Sequence, residues 1–260
     1  MSDAAQLLQA VADVARLTGD TAHALYSASI RVEIKGDGSP VTDADRSAER
    51  AARGWIEQRF PEHGIVGEEL GVTRPDAELR WFIDPIDGTQ SFIRGVPLWG
   101  SLVAVARGED IVAGAIYCPA VNELVCAATG QGCWWNGARA SVSSIGALGD
   151  AAVLTTDHRF AAHPDRGAAW RDLASQAHIA RGWSDCYGYL LVATGRAEVM
   201  IDPQMTPWDA AALMPVILEA GGVITDWTGR VTAFGDGIVA SNAALAPRVR
   251  EVLGIPGARR

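Results

Sequence analysis

Trp81-Phe82-Ile83-Asp84-Pro85-Ile86-Asp87-Gly88-Thr89 places two carboxylates three residues apart at the end of an apolar stretch. Residues 81–84 read as a buried strand. The proline and glycine behind it bend the backbone so that both acids face one point. Acids at the mouth of a buried strand are costly unless a cation compensates them.

Working outward, apolar residues Leu7, Leu8, Val11, Val14, Ala15 and Leu25 predict a helix over about 4–28. A turn-rich stretch, 35–40, precedes a second helix over about 43–59. Thr42 or Asp43 can cap that helix, which puts Asp45 near its N-terminus. Strand signals dominate 64–156, among them 81–84, 101–107, 111–117, 124–128 and 152–156. Gly108-Glu109-Asp110 and Asn136-Gly137 read as hairpin turns, the second of type I′.

The second half alternates. Helices are expected at about 164–178 and 187–194, a strand at 197–201, and a helix from Pro207-Trp208-Asp209 to the Gly221-Gly222 stop. Strands at 223–225 and 238–240 lead to a last helix. The pattern is α/β (α+β): one domain over 1–260 in two lobes, with the change near residue 145.

The chain has 260 residues, 48% apolar and 20% charged, enough for a large core. Its net charge of −9 argues against a basic nucleic-acid-binding face and against a polybasic membrane anchor. It suits a site that gathers divalent metal. With no signal-peptide pattern and no apolar run of ~20 residues, a cytoplasmic location is expected. Cys118, Cys126, Cys133 and Cys186 lack C-x-x-C spacing and read as reduced, partly buried thiols.

The acids that carry chemistry are Glu68 and Glu69 in Gly67-Glu68-Glu69, then Asp84, Asp87 and Asp209. No histidine or cysteine accompanies them, and such hard oxygen donors select Mg²⁺, or Mn²⁺ in its place, over zinc. The Ile86 carbonyl can point inward as a neutral ligand. Asp209, taken alone, reads first as an acid complementing a helix dipole, and it is the joint pattern that makes it a ligand candidate. Gly88 and Thr89 follow the acid pair, and their N–H groups would cradle a phosphate. A phosphorylated small molecule is the expected ligand.

The chain resembles the inositol monophosphatase family. The resemblance rests on Val41-Thr42-Asp43-Ala44-Asp45, Gly67-Glu68-Glu69, the hexapeptide at 84–89, and Trp208-Asp209-Ala210-Ala211 running to Glu219-Ala220-Gly221-Gly222. It implies a layered α-β-α-β-α fold, a homodimer, Mg²⁺ dependence and lithium sensitivity. It also implies roles. Glu68, Asp84 and the Ile86 carbonyl would hold one metal, and Asp84, Asp87 and Asp209 a second. A third, weaker metal would sit near Glu68. Glu68 and Thr89 would activate the attacking water, with Asp45 supporting Thr89. Gly88 and Thr89 would bind phosphate oxygens.

The leaving group is the finer question. Residues 91–100, 185–190 and 192–198 with 201–203 look like the histidinol-phosphatase branch. Asp185 and Asp202 would add acids around a leaving group that carries an ammonium and an imidazole. Asp185 reads equally as a helix N-cap, and Asp202 as a turn acid before proline. Arg181, Arg94 and Lys35 read first as solvated charge, and Trp99, Trp134 and Trp135 as core or interface residues. The alternatives are an inositol-1-phosphate or broad sugar-phosphate phosphatase, and a non-catalytic protein contacting RNA polymerase or RNA.

Overall fold

The computed structural model describes residues 3–26, 32–34, 36, 40–183 and 185–257; Lys35 lies outside them. The first helix is Asp3–His23, shorter than expected. Bonds from Leu25 N–H to the Ala22 carbonyl and from Tyr26 N–H to the His23 carbonyl tighten its end into a turn. The second helix is Asp43–Arg59. Thr42 caps it, accepting the Ala44 N–H at 3.1 Å, while the Asp45 carboxylate returns to the Thr42 N–H at 2.8 Å.

These helices cover one face of an eight-stranded sheet. In spatial order its strands are Ala138–Arg139, Gly132–Trp135, Glu123–Ala128, Asp110–Cys118, Gly100–Arg107, Leu79–Asp87, Gly64–Gly67 and Gly71–Thr73. Neighbours are antiparallel except Gly64–Gly67 against Leu79–Asp87. Asn136 and Gly137 both take positive φ, 47° and 85°, as a type I′ hairpin requires. Strand periodicity sorts the side chains. Trp81, Ile83, Val103 and Val105 pack on the two helices, whereas Phe82, Leu102 and Ala104 face the opposite layer.

That opposite layer contains the helices Asp185–Ala193 and Leu213–Glu219. Its apolar cluster joins Leu102 and Ile116 of the first sheet to Leu154, Met200 and Ala240 of a second. The second sheet has five strands in the order Ile179–Arg181, Ala152–Leu154, Val199–Asp202, Ile238–Ser241 and Val223–Thr225. Gly167–Gln176 and Ala246–Leu253 close its outer face around Trp170, Leu173 and Val249. The result is the α-β-α-β-α layering.

One further expectation is corrected, and one element was not expected. The helix from Pro207 to Glu219 is broken into Pro207–Ala210 and Leu213–Glu219. Pro215 has no N–H for the carbonyl four residues back, so the ladder cannot run through. Ile179–Arg181 is a strand that lay unrecognised between two helices.

Candidate active site

The acid pair owes its geometry to a bulge. Asp84 lies opposite Leu102 and Asp87 opposite Gly100, so three steps on one strand match two on its neighbour. In an unbroken strand, residues three apart point to opposite faces. The extra residue brings both carboxylates to the face that carries Phe82. The turn is pinned from within: the Ile86 N–H donates to Asp84 Oδ1 at 2.9 Å, and the Ser101 hydroxyl donates to the Pro85 carbonyl at 2.6 Å. Ile86 itself is buried against Ala44, Ala48, Phe92 and Trp99.

Asp209 arrives on the short helix Pro207–Ala210, which follows the strand Val199–Asp202 of the second sheet and packs on Leu79–Asp87 of the first. Thr206 caps its helix, and the Thr206 N–H and hydroxyl both donate to Asp209 Oδ2, at 2.9 and 2.8 Å. Ligand oxygens of Asp84, Asp87 and Asp209 all lie within 4.8 Å of one another. Glu68 follows the strand Gly64–Gly67, and its N–H donates to the Ile83 carbonyl at 3.1 Å, one residue before Asp84.

Burial first, and then the charges of Glu68, Asp87 and Asp209, push the Asp84 carboxyl well above its usual range. Burial pushes Asp87 well above it too, helped by Asp185 and Asp209 and opposed by bonds from Cys186. Asp209 is raised to about 6 by burial, against the Thr206 hydrogen bonds that favour its ionised form. Three crowded, desolvated oxyacids without a nitrogen or sulfur donor fit a hard divalent cation such as Mg²⁺.

Gly88 follows with φ 89° and caps the short turn of helix Thr89–Phe92. The positive φ favours glycine, and a β-carbon there would stand 2.8 Å from Asp185 Oδ2, which would have to shift. The Thr89 hydroxyl donates to the Ile86 carbonyl at 3.0 Å. Asp45 is buried, and its Oδ2 accepts the Thr42 N–H and hydroxyl at 2.8 and 2.6 Å. Burial raises its carboxyl, and Glu68 adds to the rise after the opposing Thr42 bonds.

A cavity of about 450 Å³ opens beside Asp87 and Asp209, and Asp157, Asp185, Asp202 and Phe160 are among its lining residues. Asp185 is the first residue of its helix and sits in the left-handed region at φ 48°. The next N–H, of Cys186, donates to Asp87 Oδ2 at 2.5 Å. Asp202 is 5% exposed and accepts from the Thr156 N–H and hydroxyl, the Tyr189 hydroxyl and, at 3.3 Å, the Thr155 hydroxyl.

Arg181 is the exposed last residue of a half-buried strand, bonds the Ala180 carbonyl and is not among the residues lining the cavity. Arg94 bonds the Gln90 carbonyl at 2.9 Å. Trp99 is fully buried, and Trp134 and Trp135 lie under Arg139 and Arg196. The four cysteines are buried and unbridged.

Sequence reasoning did not single out Thr206 or Ser101. Thr206-Pro207-Trp208-Asp209 repeats the spacing of Thr42-Asp43-Ala44-Asp45. That T-x-x-D echo was the available signal for a second capped acid. Ser101 carried no signal, because its partner is a backbone carbonyl fixed by strand pairing.

The model of the inositol monophosphatase family matches residues 3–254. A histidinol-phosphatase from Chlorobaculum parvum is 41% identical over 227 residues, covering 87% of this chain and 88% of that protein. A histidinol-phosphatase from Mycobacterium tuberculosis is 36% identical, covering 85% and 86%. Among solved structures, an inositol monophosphatase from Zymomonas mobilis superposes with a TM-score of 0.85 at 28% identity, covering 98% of this chain and all of that one.

Proposed function

The chain belongs to the inositol monophosphatase family and is a phosphomonoesterase, and we propose that it hydrolyses L-histidinol phosphate to L-histidinol and phosphate with the help of Mg²⁺. Asp84, Asp87, Asp209 and Glu68 would hold the metals with the Ile86 carbonyl, two at the core and a third more weakly. Mg²⁺ held there supplies Lewis acidity toward the attacking water and toward the ester oxygen that leaves. Gly88 and Thr89 would present backbone N–H groups to the phosphate oxygens, and the glycine leaves room for close approach. Glu68 would accept the water's proton and Thr89 would help orient the water; Asp45, expected to support Thr89, is bonded instead to the Thr42 N–H and hydroxyl, while the Thr89 hydroxyl bonds the Ile86 carbonyl. Water adds to phosphorus as the ester P–O bond breaks, and the departing oxygen takes a proton. No protein nucleophile is needed.

The observation that carries the substrate assignment is the acid wall of the cavity. Asp185 stands against Gly88, where the phosphate would lie, and Asp202 lines the same space; Asp157 lines it too, but is paired with Arg159, another lining residue. Inositol offers only hydroxyls, whereas histidinol offers an ammonium, for which charge-assisted hydrogen bonds to carboxylates are the stronger match. Asp202 accepts four bonds from protein donors and shapes the wall, and Asp185, on the cavity wall beside Gly88, is the contact assigned to the ammonium. The assignment agrees with the names of the two relatives.

The test is kcat/KM on histidinol phosphate and on myo-inositol 1-phosphate, for the native enzyme and for Asp185→Ala. The native enzyme should prefer histidinol phosphate. Asp185→Ala should lose at least about tenfold on it and much less on the inositol ester, since a hydrogen bond to a charged group contributes about 1.5–3 kcal/mol. A native preference for the inositol ester would replace the assignment, and equal losses would return Asp185 to a structural role.

A further inference from the structure

Glu49 is fully buried on the helix Asp43–Arg59, one turn beyond Asp45, and its carboxylate points at the turn that carries Glu68. One oxygen accepts the Glu69 N–H at 2.7 Å, and the other accepts the Leu70 N–H at 3.2 Å and the Arg53 Nε–H at 2.8 Å. Arg53, only 8% exposed, extends past Glu49 and donates to the Gly71 carbonyl. Gly67 lets the helix approach: a β-carbon there would fall 1.9 Å from Glu49 Oε1. The turn 68–71 is thus bound on one side to the strand Leu79–Asp87, through Glu68 N–H and the Ile83 carbonyl. On the other side it is bound to the helix that holds Asp45.

A buried charge pair is a weak source of net stability, because desolvation offsets much of its attraction. This one spends both carboxylate oxygens on the backbone immediately after Glu68, while Glu68 adjoins Asp84. Resting on the metal assignment above, we propose that Glu49, braced by Arg53, is a positioning residue that fixes the Glu68 carboxylate for the cation. Groups that orient metal ligands typically change metal affinity 10–100-fold when lost. Glu49→Gln keeps size and one acceptor but turns an NH₂ group toward donors it cannot accept from.

Mg²⁺ binding to the full chain is measured by titration calorimetry without substrate, beside the Mg²⁺ dependence of turnover. Glu57→Gln, an exposed change on the same helix, serves as control. Glu49→Gln should bind Mg²⁺ at least tenfold more weakly, with the half-saturating Mg²⁺ for turnover shifted in parallel and kcat at saturating Mg²⁺ largely recovered. Glu57→Gln should match the native protein. A folded Glu49→Gln with native Mg²⁺ affinity overturns the inference, whatever happens to its melting temperature. If Glu49→Gln does not fold, Arg53→Lys, which keeps the charge but loses the two-point reach, carries the same readout with the same criterion. A native chain that binds no Mg²⁺ would remove the underlying metal assignment itself, an outcome separate from the other two.

Discussion

Asp87 is asked to do two things that pull in opposite directions. It is buried beside other acids, which disfavours its charge, yet it accepts the Cys186 N–H, which favours it. A bound cation resolves the conflict, and an amide cannot take its place. Asp87→Asn should therefore lower turnover by about 10³-fold or more, the scale of losing a central electrostatic group. The far-ultraviolet spectrum should be native, and the melting temperature unchanged or higher in EDTA, because a crowded charge has gone. Phosphate release and a melt measured on the same preparation check this; near-native turnover would refute the assignment. Gly88 and Asp87 were legible in the sequence because residue type and spacing alone marked them. The convergence of Asp84 and Asp87 on one face was also expected, from Pro85 and Gly88, but the way the backbone achieves it was not. It depends on the one-residue bulge, which is a property of pairing with Gly100–Leu102 and leaves no mark within residues 84–87.

Among the elements, those with local punctuation were readable. Thr42 announced the second helix, Asn136-Gly137 its hairpin, and Gly221, at φ 85°, the end of the helix before it. What escaped was non-local. The three-residue strand Ile179–Arg181 exists because it pairs with Ala152–Leu154, and three residues are too few to display a period. Glu49 escaped because an i, i+4 pair with Arg53 looks like any solvated helix pair until the partner backbone is placed. The short helix Pro207–Ala210 gives the clearest test at this scale. With only four residues it cannot be stable by propensity, so Thr206 holds Asp209 in place as much as it caps the helix. Thr206→Val removes the hydroxyl bond to Asp209 and keeps the β-branched shape. The expected cost is about 1 kcal/mol of stability together with a severalfold rise in the Mg²⁺ needed for half-maximal turnover. A lower melting temperature with an unchanged Mg²⁺ requirement would limit Thr206 to capping.

Across the whole molecule, the two sheets meet through a largely apolar middle layer that Asp84, Asp87 and Asp209, with the buried Asp202, interrupt. An acid whose carboxyl is raised by folding binds its proton more tightly in the folded chain than in the unfolded one. Its contribution to stability is therefore full below the unfolded value and is lost as pH rises through the folded value. For Asp209 that window runs from 3.8 to about 6, and for Asp84 and Asp87 it extends upward from 3.8. In EDTA the protein should melt at a lower temperature at pH 8 than at pH 5.5. Mg²⁺ binds the ionised acids of the folded chain, so its stabilisation should be large at pH 8 and smaller at pH 5.5, where protons compete. At Mg²⁺ about 100-fold above its dissociation constant the gain is about 2.7 kcal/mol, or roughly 5–10 °C at this chain length. General repulsion from a net charge of −9 would also weaken the fold at high pH, but it would be relieved equally by sodium chloride of matched ionic strength. Calorimetric melts at both pH values, in EDTA, Mg²⁺ or matched sodium chloride, separate the two, with Asp87→Asn as the variant that should lose most of the Mg²⁺ shift. Equal Mg²⁺ shifts at the two pH values, or a shift reproduced by sodium, would show that the interrupted layer does not gather the cation.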